Sequence, residues 1–236
     1  MNKPNLIQII KKTGMFRTQE EVKEIIKSGR VRVKGKVVRD IYYQARALNV
    51  EIDGKPIPQV KEKAYFILNK PRGYSCHKTD ARNIWQLFKV SKEIQNTLYS
   101  VGRLDVDTTG MLILSNDGSI MHKILKPEKN IWKTYVIASD KELRPSDIDL
   151  MKKGITIMLE EGKYQCLPAQ IERIGNKTYE IKIQEGKKRQ IRRMFEAVGA
   201  KVINLKRLAI GGLKLPDIKE GEYKKVRKED LEKIFE

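Results

Sequence analysis

Soft metal ligands are scarce in this 236-residue chain, which has two cysteines, Cys76 and Cys166, and two histidines, His77 and His122. So small a stock without repeated spacing excludes a zinc-finger layout and a disulfide framework. Both cysteines are expected to be ordinary reduced thiols. Long apolar runs are missing as well. Near the N-terminus the longest, Leu6 to Ile10, is interrupted by Gln8 and falls short of a signal-peptide core or a spanning helix. A soluble, cytoplasmic protein with no membrane attachment is expected. Neither an internal repeat nor a low-complexity tract stands out. A phosphate-binding loop and a dinucleotide fingerprint are also lacking. No cofactor and no metal are therefore expected.

What the chain has in excess is positive charge. Forty-nine Lys and Arg against thirty Asp and Glu leave a net charge of +19, more than solubility needs, and such an excess attracts phosphate backbones or anionic lipid. Nucleic acid is the expected partner.

The length suits a small domain followed by a larger one. In residues 1–54, Thr18 to Glu21 has the T-x-x-E capping pattern, Val22, Ile25 and Ile26 follow at helical spacing, and Gly29 is a stop signal. "VRVKGKVV" and "LNVEIDGKPI" alternate around Lys34-Gly35 and Asp53-Gly54, which predicts strands joined by tight turns. Residues 55–63, "KPIPQVKEK", with two prolines, are expected to be a linker. From 64 to 236, "AYFILN", "MLILS", "KTYVIAS" and "KTYEIKI" predict strands. "RPSDIDLMKKG" predicts a helix with Pro145 near its start and Gly154 past its end, and "KEDLEKIFE" a short final helix. The fold class expected is α+β: a small N-terminal helix-plus-sheet module, then a larger mixed, mainly antiparallel sheet flanked by helices.

Two stretches carry chemistry. In "EGKKRQIRRMFEAVGAKV", Ile191, Met194, Phe195 and Val198 form a helical apolar stripe, with Arg189, Arg192 and Arg193 around its first turns. Cations at a helix N-terminus oppose the macrodipole, so they imply a bound phosphate or a nearby carboxylate, for which Asp105 is the candidate. "VGRLDVDTTGMLILSNDG", residues 101–118, supplies that acidic turn. Asp105, Asp107, Thr109, Gly110 and Asn116 match a calcium loop only partly, because position 12 lacks its bidentate Glu. Asp107 is read as a cap on turn backbone, and Asp105 as an ionised carboxylate in a cationic cleft.

"GRLDVDTTG", "KTY" at 133–135 and "GKKRQIRRMF" at 186–195, in this order, resemble the three signature segments of bacterial pseudouridine synthases of the ribosomal small-subunit (RsuA-like) type. "AYFILNKPRGY" and "RLAIGGLKL" resemble the flanking segments, and residues 1–54 resemble a ribosomal-protein-S-four-like RNA-binding domain, with "FRTQEEV" in place of the usual serine and two arginines. The resemblance implies an isomerase that detaches uracil from C1′ of an rRNA uridine and rejoins it through C5, without a cofactor. It implies Asp105 as the catalytic group, Arg192 as its basic partner and Tyr135 as the ring against the target base. Arg103 is implied to help hold the nucleotide out of its helix. Arg189, Arg193, Arg30 and Arg32 are expected RNA contacts. Ribosomal RNA or a pre-ribosomal particle is the expected partner of a monomeric protein. "DTTG", "GGLKL" and "GEY" favour a small-subunit target over a large-subunit one. Two other classes compete: a non-catalytic ribosome-associated RNA binder, and a carboxylate-pair glycosidase using Asp105 and Asp107, whose carboxylates are poorly placed to flank a sugar.

Overall fold

The computed structural model describes residues 3–58, 62–126 and 129–236. It divides into two compact units that are not contiguous in sequence: the described residues up to Ala64 group with His77–Tyr99 and Ser115–Asp117, and the rest form the second unit. A single division at residue 64 therefore does not follow the compact units.

In the first unit, helix α1 (Leu6–Lys11) is opened by Asn5, whose Oδ1 accepts the Gln8 N–H at 2.9 Å while the Gln8 side chain accepts the Asn5 N–H at 3.1 Å. Such reciprocal capping satisfies two otherwise orphaned donors. Helix α2 (Gln19–Lys27) starts as expected at Thr18, whose hydroxyl accepts the Glu21 N–H at 3.2 Å. The returning bond from Glu21 lands one residue early, on the Arg17 N–H at 2.9 Å, so the capping box is only half formed. Val22, Ile25 and Ile26 are buried in one cluster with Leu6, Ile10 and Val31. Strands β1 (Val31–Val33), β2 (Lys36–Val37), β3 (Val50–Ile52) and β4 (Lys55–Pro56) pair in the order β2-β1-β3-β4. Both expected turns are present: Lys34 and Gly35 have φ of 51° and 75°, Asp53 and Gly54 φ of 52° and 75°. Two consecutive positive values are what a type I′ hairpin demands. The expected linker begins later than its composition implies, because Lys55–Pro56 is strand and Ile57 is buried; residues 59–61 lie outside the described residues.

Segment His77–Tyr99, which carries α3 (Lys92–Thr97), joins this unit through the buried Lys11 and through Asn96, whose Nδ2 donates to the Gly14 carbonyl at 2.8 Å, while the half-buried Lys78 ties the segment to itself. Lys11 Nζ donates to the carbonyls of Phe16, Arg17 and Asn96 at 2.8, 2.7 and 3.1 Å. Lys78 Nζ donates to the same Asn96 carbonyl at 2.8 Å and lies over the Trp85 and Tyr99 rings. Burial lowers the two ammonium groups to about 8 and about 7, respectively.

The second unit is built on β5 (Tyr65–Lys70), β6 (Tyr99–Val101), β7 (Thr109–Ser115) and β8 (Lys133–Ser139). Hairpin β9 (Thr156–Leu159)–β10 (Gly162–Gln165) stands apart as a two-stranded sheet. The set is completed by β11 (Gln170–Gly175), β12 (Thr178–Ile183), β13 (Val202–Ile210), β14 (Leu213–Lys214) and β15 (Tyr223–Val226). Among the described residues the main sheet runs β11-β12-β8-β13-β7-β5-β15, with β6 on β7 and β14 on β13. Pairs β11–β12, β12–β8, β8–β13 and β5–β15 are antiparallel, and β13–β7 is parallel. The mixed, mainly antiparallel expectation is therefore met. Helices α4 (Gly118–Leu125), α5 (Pro145–Lys153), α6 (Gln190–Ala197) and α7 (Lys228–Glu232) accompany the sheet. Pro145 at the first turn of α5 and Gly154 after it act as read, while the final helix stops at Glu232 and gives way to a 3₁₀ turn.

Candidate active site

The acidic turn leaves β6 and enters β7, and the Thr108 N–H closes it on the Asp105 carbonyl at 3.1 Å. Three neighbours fix its backbone. Lys70, fully buried at the end of β5, donates to the carbonyls of Thr108, Val106 and Pro71 at 2.9, 3.3 and 3.2 Å. The Gly73 N–H meets the Val106 carbonyl at 2.8 Å, and the Cys76 thiol donates to the Leu104 carbonyl at 3.4 Å. Burial pushes the Lys70 ammonium down from its usual range and the Cys76 thiol up. Sequence reasoning misses Lys70 as a site residue, although a lone lysine ending the apolar run "AYFILN" is a readable sign of an internal donor.

Helix α6 approaches this turn with its arginines. Ile191, Met194 and Phe195 are buried, and Phe195 packs edge-on to Tyr179 at 6.0 Å between centroids; Val198 is half-buried just past the helix end. Arg192, 6% exposed, donates from Nη1 to the Val202 carbonyl at 2.9 Å and from Nη2 to the Asp107 carbonyl at 3.1 Å. The same Nη2 is 3.1 Å from Asp107 Oδ2. Arg189, the N-cap residue at φ 54°, places Nη1 3.2 Å from Asp107 Oδ1 and Nη2 3.3 Å from Oδ2.

The carboxylate that answers the helix arginines is thus Asp107 instead of Asp105. Its reading as a backbone cap is corrected by the same contacts: two guanidinia occupy its oxygens. The calcium alternative fails for this reason too, since a cation would have to displace both arginines. Desolvation lowers the Arg192 pKa first, with Asp107 opposing; a guanidinium remains charged regardless. Asp105 is half-buried, and among the described residues its carboxylate makes no hydrogen bond or ion pair.

Tyr135, 8% exposed, lies on β8 opposite Ile181 of β12 and Arg207 of β13. Arg207 pairs in turn with Gly110 of β7, so β13 stands between the strand of Tyr135 and the strand that leaves the acidic turn. The structure thereby brings Asp105, Arg189 and Arg192 to one region, with Tyr135 two strands away. Arg103 is exposed on the turn itself. Arg193 faces the β9–β10 side, lining a pocket with Tyr164, Glu160 and Lys188, and its Nη1 is buried without a hydrogen-bond partner among the described residues. Arg30 and Arg32 belong to the other unit. There Arg30 is engaged by Asp53 at 2.8 and 2.5 Å, whereas Arg32 is exposed on β1.

Asp107→Asn is expected to lower conversion on the order of 10²-fold, the usual consequence of displacing positioned groups by about 1 Å. The amide loses the negative charge that both guanidinia share, and its –NH₂ turns a donor toward the arginine N–H groups. Single-turnover rates beside RNA affinity check this: unchanged conversion would remove the anchoring role.

Known proteins align with this arrangement. The sequence model of the RNA pseudouridylate synthase family matches residues 64–197, more than half of the chain. The ribosomal small subunit pseudouridine synthase A of Escherichia coli (strain K12) is 33% identical over 211 residues, covering 89% of this chain and 90% of that protein. The ribosomal large subunit pseudouridine synthase B of Bacillus subtilis (strain 168) is 34% identical over 222 residues, with 92% and 90% covered. A crystal structure of a pseudouridylate synthase superposes with a TM-score of 0.72 at 30% identity, spanning 98% of this chain and 100% of that one. The chain belongs to the RNA pseudouridylate synthase family and is an RNA pseudouridine synthase, an isomerase.

Proposed function

We propose that the chain converts a uridine of small-subunit ribosomal RNA to pseudouridine, with Asp105 as the catalytic carboxylate. The observation that carries this reading is an ionisable carboxylate left without partners on a turn whose backbone is held at three points and whose flanks are arginine. The base-promoted step needs Asp105 ionised, either to attack C1′ or to take the C2′ proton. Arg192, held by Asp107 and Val202, keeps positive charge beside it. Tyr135 offers a ring for the base to lie against, and Arg103, Arg189 and Arg193 hold the displaced strand. The isomerisation adds and removes no atoms, so it consumes no co-reactant. Small-subunit RNA is favoured by "DTTG", "GGLKL" and "GEY" in this chain, while the similarity to the large-subunit synthase B makes large-subunit RNA the second reading.

Incubation with unmodified small- and large-subunit rRNA, followed by carbodiimide mapping of pseudouridine, tests both. A new stop in the small-subunit RNA is expected. Stops confined to large-subunit RNA would replace the target alone, and no stop in either would overturn the reading in favour of a non-catalytic binder.

The N-terminal residues 1–54 are proposed to grip RNA as a ribosomal-protein-S-four-like domain, with the protein acting as a cytoplasmic monomer on rRNA or a pre-ribosomal particle. Deleting them would strip α1 from segment His77–Tyr99, where Lys11 is bonded to Asn96. Point changes are cleaner. Arg32→Ala with Lys36→Ala is expected to make the slope of log affinity against log salt shallower by about 0.9 for each phosphate that is no longer neutralised, taking the duplex DNA value, while conversion at saturating enzyme persists. An unchanged slope would leave RNA recognition to the second unit.

A further inference from the structure

Arg207 is a buried cation that the reaction as described does not use. It is 5% exposed; its Nε donates to the Met111 carbonyl at 2.8 Å, and its Nη2 is buried with no hydrogen-bond partner among the described residues. The other buried cations of this unit have more partners: Lys70 has three carbonyls, and Arg192, although its Nε is also buried without a hydrogen-bond partner among the described residues, has the Asp107 carboxylate. Among the described residues Arg207 makes no ion pair with a carboxylate. A guanidinium in that setting opposes folding unless something anionic arrives. An apolar side chain would serve packing better.

Its position says where the anion would be. Arg207 is the direct cross-strand neighbour of Tyr135 and pairs with Gly110, the second residue of the strand that leaves the acidic turn. The ladder is irregular just after it, between Arg207 and Ala209, and bulges of this kind re-aim side chains beside active sites. Its charge reaches Lys133, two residues before Tyr135, and the Cys76 thiol bonded under Leu104, next to Asp105.

We propose that Arg207 supplies the positive charge against which the detached base becomes negative. This rests on the synthase reading above. Whether Asp105 attacks C1′ or takes the C2′ proton, the electron pair of the N1–C1′ bond departs with N1. The base therefore leaves as an anion, its charge spread over N1 and the two carbonyl oxygens. After the base turns, an electron pair at C5 forms the new bond to C1′ as the Asp105–C1′ bond breaks or, on the other route, as C2′ regains its proton from Asp105; the C5 proton then leaves and N1 takes up a proton. Arg207 exchanges no proton in this sequence. A fixed charge in a water-poor site stabilises the separated anion without reorganising.

The test compares leaving groups. Arg207→Met is expected to slow single-turnover conversion of a uridine-containing RNA by about 10² to 10³-fold, the typical loss when one preorganised group at a developing anion is removed. With 5-fluorouridine at the target position the base is a more acidic leaving group, so the loss, followed as disappearance of that nucleoside, is expected to be distinctly smaller. Arg207→Lys, which keeps the charge but not the planar fork, is expected to recover part of the rate. Thermal midpoints and RNA affinities accompany each variant, and Arg207→Gln takes the place of Met if that variant does not fold. Equal losses on both RNAs, as from a merely structural bond to Met111, or no loss on either, would overturn the proposal. If the unaltered chain converts neither RNA, the synthase reading itself fails and the inference falls with it.

Discussion

Asp105→Asn is expected to abolish isomerisation while RNA affinity stays close to that of the parent. The amide keeps the shape of the side chain but removes the charged oxygen on which attack at C1′ or removal of the C2′ proton depends, a contribution worth at least about 10² to 10⁴-fold in general base catalysis alone. The structure makes the change a clean one. The Asp105 carboxylate holds no ion pair or hydrogen bond among the described residues, so its neutralisation breaks no tertiary contact. The arginines of α6 remain on Asp107. Single-turnover conversion and filter binding on the same RNA separate chemistry from affinity. Conversion near the parent rate would remove Asp105 from the mechanism, and a matching collapse of affinity would recast it as a binding residue.

The two aspartates also show which parts of this protein are legible in its sequence. Local signals translate directly. Lys34-Gly35 and Asp53-Gly54 specify type I′ turns because the backbone there needs two positive φ values, and both turns are present. Thr18 caps α2, and the apolar stripe of α6 puts Ile191, Met194 and Phe195 inside. Partnership over long separations is less legible. That the arginines require an acidic neighbour follows from helix electrostatics, but which of two aspartates two residues apart turns toward them depends on how the turn is held. Lys70 decides much of that, from 36 residues upstream of Val106 and 38 of Thr108. Arg207 is hidden for a related reason. In sequence it is one more basic residue among forty-nine, and only strand pairing reveals that it is buried beside Tyr135. The compact units are hidden as well. Composition marks a break near residue 60, yet His77–Tyr99 is drawn to the N-terminal residues by the bonds of Asn96 to Lys11 and Gly14, and no local pattern announces the burial of Lys11.

Gly110→Ala is expected to be the most damaging substitution of a small residue in the chain's acidic turn region. Gly110 has φ +99°, and a Cβ there would sit 2.3 Å from the Arg207 carbonyl oxygen and 2.7 Å from the Arg207 nitrogen. The unfavourable backbone alone costs on the order of 1–3 kcal/mol. The steric conflict is the larger part, because the obstructing atoms are main chain in the middle of the sheet and cannot swing aside. To admit a methyl group, β7 must part from β13 where Thr109 faces Lys206 and Gly110 faces Arg207. A loss of several kcal/mol would take a large share of the roughly 5–15 kcal/mol that holds an ordinary domain together. Urea unfolding measures it as a fall in the midpoint. Gly118→Ala is the control, since Gly118 opens α4 with no positive φ and nothing within 4 Å of its added carbon, and alanine favours a helix. Below the unfolding transition, the surviving folded fraction of Gly110→Ala is expected to convert RNA more slowly than the parent, because the same displacement moves Arg207 and the exit of the turn that carries Asp105. Stability equal to the Gly118 control would show that β7 and β13 tolerate the separation, and the close approach would then not be what sets the turn against the sheet.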